Sequence, residues 1–219
     1  VRKPVTLSGK IFEISVSIGI SIYPDDGVNV EEMMRVADVA MYHAKTEGKN
    51  CFRFFTEELA LRSFERGLIE QGLRRAIEKD EFELLYQPQV SLTDGKITGL
   101  EALIRWNHPE QGQLLPERFI SVADDLNLID AISEWVLRTA LNDYQQWLTN
   151  SSKELHIAVN ITGRQISNKQ SFKHIVKILD ELESTTNIIQ INLEITESAL
   201  EQMEHTISII NTLSDRGVM

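Results

Sequence analysis

Three side chains of the kind that hold hard cations lie on three separate segments with alternating apolar residues. They are Glu101 in KITGLEALIRW (96–106), Asn160 in LHIAVNIT (155–162) and Glu194 in IIQINLEIT (188–196). Successive side chains of a strand point to opposite faces, so phase decides which can meet. Glu101, Leu103 and Arg105 share one face, opposite Leu100, Ala102, Ile104 and Trp106. Asn160 lies opposite Ile157, Val159 and Ile161, and Glu194 lies opposite Ile191, Leu193 and Ile195. Two carboxylates and an amide oxygen make an oxygen-only donor set, which suits Mg²⁺ or Mn²⁺ rather than zinc. The five histidines, at 43, 108, 156, 174 and 205, form no i,i+4 pair, so nothing supports a His-ligated metal. Arg105 stands four residues beyond Glu101, about 13 Å along an extended strand. It can hold a phosphate while the carboxylate holds the metal; a surface ion pair explains it as simply.

Two explanations of the alternation stay open. An antiparallel sheet with one wet face produces it without any site. If instead helices intervene and the sheet is parallel, both faces are covered. Burying Glu101, Asn160 and Glu194 is then costly unless they bind something.

The elements around these residues favour the second arrangement. FELLYQPQVSL (82–92) reads as a strand, Thr93-Asp94-Gly95 as a hairpin turn, and 96–106 as the returning strand. A loop holding His108, Pro109, Gly112 and Pro116 leads to helical segments over about 117–149. A strand (155–162), a helix near 168–183, a strand (188–196) and a last helix to about Arg216 follow. Strand and helix alternating at this spacing is the pattern of βα units around a parallel sheet. Ahead of them, IFEISVSIGISIY (11–23) reads as a strand whose Ile14, Val16, Ile18, Ile20 and Ile22 share a face. A helix from Glu31 to Gly48 and a short strand CFRFF (51–55) complete a strand-helix-strand piece, too small to bury much surface alone. A helical pattern over 57–79, with Leu61, Phe64, Leu68 and Leu73 on its stripe, suits a linker or a seam between two chains.

Composition narrows the partners. The 219 residues carry a net charge of −11, and 42% are hydrophobic, which supports a folded core. Ten of those eleven negative charges fall in residues 58–219. With no basic stripe, duplex nucleic acid is a poor partner. A single cysteine, Cys51, excludes an intramolecular disulfide and favours a reducing, cytoplasmic setting. No apolar run reaches the roughly 18 residues of a membrane span.

The segments also resemble a known family. GLEALIRW with Glu101-Ala102-Leu103 and Arg105 is similar to the signature of EAL domains, bacterial phosphodiesterases that linearise cyclic di-GMP. YQPQV (86–90), LLPERFISVAD (114–124), VNIT (159–162) and LEITES (193–198) stand in the family's order. SVSIGISIYPDDG and ADVAMYHAKTEGKN (37–50) resemble the C-terminal end of a GGDEF, diguanylate cyclase-like domain, where Lys45 and Lys49 match phosphate-contacting positions. The resemblance implies Glu101, Asn160 and Glu194 as ligands of Mg²⁺ or Mn²⁺. It implies Arg105 as a phosphate contact and Gln87, Leu103 and Pro116 as lining of the nucleotide pocket.

The implied fold is α/β. It is the N-terminal half of a modified (β/α)₈ barrel with an antiparallel first strand, preceded by the strand-helix-strand remnant. The implied division is 1–56, a linker helix at 57–80, and 81–219. The family's Asp-Asp motif and Lys lie beyond the residues present, so this chain alone is expected to be inactive while its parent hydrolyses cyclic di-GMP to pGpG. The alternatives are a non-catalytic cyclic di-GMP receptor and a regulatory scaffold, with a homodimer formed through the 57–79 stripe.

Overall fold

A computed structural model describes residues 5–7, 10–12, 15–148, 155–186 and 191–195. The chain divides into two compact units, Val1–Ile69 and Glu70–Met219. In the first, β1 (Val5–Leu7) and β2 (Lys10–Phe12) form an antiparallel pair, while β3 (Ile18–Ile20) and β4 (Phe52–Phe54) pair in parallel. Between β3 and β4 runs α1 (Val30–Thr46), whose N-cap Asn29 accepts a hydrogen bond from the Glu32 amide, with Glu31 and Glu32 in the first turn. Val36, Ala40 and Ala44 are its buried face. The sequence predicts one strand over 11–23; the structure divides it into β2 and β3. A strand lasts only as far as its hydrogen-bonding partner, and β4 supplies three residues.

Helix α2 (Glu57–Glu78) carries the boundary between the units within it. Gly72, which weakens the helix by propensity, has a packing reason. A Cβ there would stand 2.9 Å from the Trp106 ring, so only glycine lets the helix and the indole close up.

The second unit is built on a sheet of order β5-β6-β8-β9. β5 (Phe82–Val90) runs antiparallel to β6 (Ile97–His108), and β6, β8 (His156–Ile161) and β9 (Ile191–Ile195) are mutually parallel. This is the barrel half with a reversed first strand that the resemblance implies. A short β7 (Gly112–Leu114), inside the predicted loop, pairs with the end of β6. β6 is twelve residues long and runs past its other partners, so its free edge takes up the returning loop.

Helices α3 (Pro116–Asp125), α4 (Ile129–Leu148), α5 (Gly163–Ser167) and α6 (Lys169–Thr186) complete the unit. The aliphatic strand face is buried as the alternation predicts. Ile157, Val159, Ile161 and Ile191 are at most 2% exposed, and so are Leu137, Ala140, Ile175 and Ile178 from α4 and α6. Phe82, Trp106, Phe119 and Trp135 form an aromatic cluster with centroids 5.7–6.0 Å apart. No helix among the described residues is long and apolar enough to cross a membrane. The final helix predicted to about Arg216 lies outside the described residues.

Candidate functional site

The polar face of β6, β8 and β9 brings three of the predicted residues together. Register places Glu101 opposite Ala158 on β8, two residues before Asn160, and Asn160 opposite Glu194 on β9. Asn160 Nδ2 donates to Glu101 Oε1 at 2.7 Å. Since a carboxylate only accepts, the amide nitrogen must face Glu101, which leaves the Asn160 carbonyl oxygen available as a donor atom for a cation. Glu194 Oε1 accepts from Gln89 Nε2 at 3.0 Å. Each carboxylate thus has one oxygen tied and one without a hydrogen-bond partner among the described residues. Two carboxylate oxygens and an amide oxygen on adjacent strands form a donor set suited to a hard divalent ion. No group of three or more His, Cys, Asp or Glu side chains is placed to hold a metal among the described residues.

Asn160 and Gln87 are exposed, while Gln89, Glu101, Leu103, Arg105 and Glu194 are half-buried. Among the described residues, helices pack against the aliphatic side of this sheet. Gln87 sits opposite Glu101, and Glu83 opposite Arg105. Arg105 forms no ion pair among the described residues; its Nη1 donates to the Ile104 carbonyl at 2.9 Å. Past Ala102 and Val159 the strands β6 and β8 no longer pair, and a cavity of about 410 Å³ opens there. Leu103, Pro116 and Asn160 line it together with Ile120, Ile132 and Val136.

A buried polar network fixes the turn that follows Asn160. Thr162 caps α5 in a reciprocal capping box with Gln165. Gln165, 1% exposed, also donates to Asp130 Oδ1 at 3.2 Å and Ser133 Oγ at 2.9 Å, while Ser171 donates to Asp130 Oδ2 at 2.7 Å. The C-terminal end of β8 is thereby tied to α4 and α6. On the far face, Tyr86 donates to Asp143 at 2.7 Å. Burial, and then this bond to a carboxylate, push its hydroxyl well above the usual phenolic range. Gln89, His156 and Gln165 are polar partners in this unit that strand phase and the family motifs do not single out. The Thr-x-x-Gln spacing at 162–165 is a capping-box signature, and Gln89 has the same strand phase as Gln87.

Comparisons with known proteins bear on the family of the chain. The family description "EAL domain" matches residues 70–219, and "Diguanylate cyclase, GGDEF domain" matches residues 1–51. A cyclic di-GMP phosphodiesterase of Pseudomonas aeruginosa, NbdA, is 34% identical over 99% of this chain and 28% of its own length. The bifunctional diguanylate cyclase/cyclic di-GMP phosphodiesterase MucR of the same organism is 35% identical over all of this chain and 32% of its own length. The chain thus spans about a third or less of these relatives. Among solved structures, the PaMucR phosphodiesterase in complex with c-di-GMP is 31% identical and superposes with a TM-score of 0.62 over 69% of this chain and 61% of its own.

Proposed function

Because this chain belongs to the EAL domain family over residues 70–219, we propose that the protein containing it hydrolyses cyclic di-GMP to linear pGpG. The observation that carries the reading is the meeting of Glu101, Asn160 and Glu194, with Asn160 bonded to Glu101 at 2.7 Å and paired in register with Glu194. These residues hold Mg²⁺ or Mn²⁺. When bound, such an ion acidifies a coordinated water and stabilises charge on phosphoryl oxygens. Arg105, on the same face, takes a phosphate of the dinucleotide through a guanidinium that, among the described residues, bonds to a backbone carbonyl and forms no ion pair. Leu103 and Pro116 line a cavity of a size suited to part of a nucleotide, and Gln87 faces the same side across from Glu101. Fixing substrate and ion on a rigid sheet is how this chain contributes to catalysis.

Residues 1–56 are read as a GGDEF segment, 57–80 as a linker helix and 81–219 as part of the EAL domain. The unit boundary inside α2 supports that division. The setting is cytoplasmic, which a single half-buried cysteine favours.

The test is turnover of cyclic di-GMP by the full-length protein with Mg²⁺ or Mn²⁺, followed as pGpG release. Glu101→Ala is expected to abolish it while leaving the fold intact. An unchanged rate removes Glu101 from the ion site, and tight binding with no pGpG from the unmutated protein identifies a receptor instead. The 219-residue chain alone is expected to show no turnover.

A further inference from the structure

Gln89 lies on β5 and Glu194 on β9, the two ends of the strand path β5-β6-β8-β9, yet their side chains meet at 3.0 Å. The contact spans the open face of the curled sheet and links residues 105 apart in the chain. Its chemistry leaves no freedom in the amide. Glu194 can only accept, so the Gln89 nitrogen must point at it, and the Gln89 carbonyl oxygen then faces His156 Nε2 at 2.7 Å. His156 must therefore carry its proton on Nε2 and donate. Gln89, Gly99 and His156 form one lateral row across β5, β6 and β8. Gly99 is the reason the two longer side chains can meet over β6, since a Cβ there would collide with the imidazole.

Resting on the reading of Glu194 as a cation ligand, we infer that Gln89 is a positioning residue that holds the Glu194 carboxylate, with His156 holding Gln89 in turn. The pair binds one oxygen of Glu194 and leaves the other, without a hydrogen-bond partner among the described residues, for an ion shared with Asn160 and Glu101. A ligand carboxylate fixed in this way loses less rotamer freedom on taking up an ion than a free one. Gln89 touches neither substrate nor ion in this scheme; it acts through Glu194.

The test is Mn²⁺ titration of the chain by calorimetry, with the melting temperature measured separately in the absence of metal. Gln89→Met keeps the length and removes both hydrogen bonds. It is expected to weaken Mn²⁺ binding by about 10- to 100-fold, as loss of an outer partner does, while the metal-free melting temperature stays within about 2 °C, as for a near-neutral surface change. His156→Leu should weaken binding in the same direction and serves as the second variant should Gln89→Met not fold. In a Glu194→Gln background, Gln89→Met should add less than about twofold, since the carboxylate it orients is gone. Unchanged Mn²⁺ affinity in Gln89→Met, alongside loss in Glu194→Gln, overturns the positioning role and leaves the ion site standing. Unchanged affinity in Glu194→Gln overturns the ion site itself. A fall in affinity matched by an equal fall in metal-free stability makes Gln89 a structural strut only.

Discussion

Both units of this chain place a helix on parallel strands, and they bury their apolar residues to very different extents. In the first, Val36, Ala40 and Ala44 of α1 are at most 2% exposed, but Ile18, Phe52 and Phe54 on β3 and β4 are 50%, 56% and 47% exposed. In the second, Trp106, Phe119 and Leu137 are fully buried and Ile157 is 1% exposed. Two three-residue strands offer a helix one face to cover; four longer strands carry a continuous aliphatic face that α4 and α6 can cover together. Since buried apolar area is the main favourable term in folding, the second unit holds most of the stability and is the rigid platform for the site. All three tryptophans, 106, 135 and 147, belong to that unit, so their fluorescence reports on it alone.

The largest break in this contrast comes from Trp106→Ala. Removing a fully buried indole from the aromatic cluster, together with its 3.0 Å bond to Glu81, should cost about 3–5 kcal/mol. Urea unfolding followed by the remaining tryptophans checks it, and a change below 1 kcal/mol would contradict the placement of the core.

A smaller effect separates acid from neutral conditions. Burial tends to raise the Glu81 carboxyl, but hydrogen bonds from Trp106 and Arg75, and the charge of Arg75, outweigh it and hold the group below its ordinary value of 4.5. A carboxylate lowered by folding stabilises fully above its unfolded value, and that contribution is lost as pH falls through the folded one. The urea midpoint of the second unit should therefore drop below pH 4.5, and drop less in Glu81→Gln. Identical acid limbs in the two proteins would remove Glu81 from this role.

The smallest effect is predicted in the first unit. Phe64 on α2 is 67% exposed and Leu61 65%, so Phe64→Glu should change stability by no more than about 0.5 kcal/mol. The same variant tests the homodimer expected from this stripe: a dimer that falls to monomer in light scattering supports α2 as the contact, at a larger cost than about 0.5 kcal/mol, and an unchanged mass removes it.

What was legible in the sequence follows the same division. In the second unit, alternation over 96–106 and 155–162 placed Ala102, Ile104, Trp106 and Val159 inside, because their strands have partners on both sides and helices on one face. In the first, the same kind of alternation put Val16, Ile18 and Ile22 on one face, and they stand 47%, 50% and 48% exposed. Periodicity tells which residues share a face, not whether anything covers it. Glu101, Asn160 and Glu194 could be grouped by strand phase alone, whereas the Gln89–His156 link could not. It depends on sheet curvature and on the gap above Gly99, neither of which has a local sequence signal. The short β7 was hidden for a similar reason, since its pairing exists only because β6 runs past its neighbours.

The proposed chemistry stands or falls with one divalent ion shared by Glu101, Asn160 and Glu194. Crystals of the chain soaked in Mn²⁺ and measured at the manganese absorption edge test it most directly. A single anomalous peak bounded by these three side chains and lost in Glu101→Gln is expected; a peak coordinated elsewhere, or one that survives that substitution unchanged, rules the shared ion out.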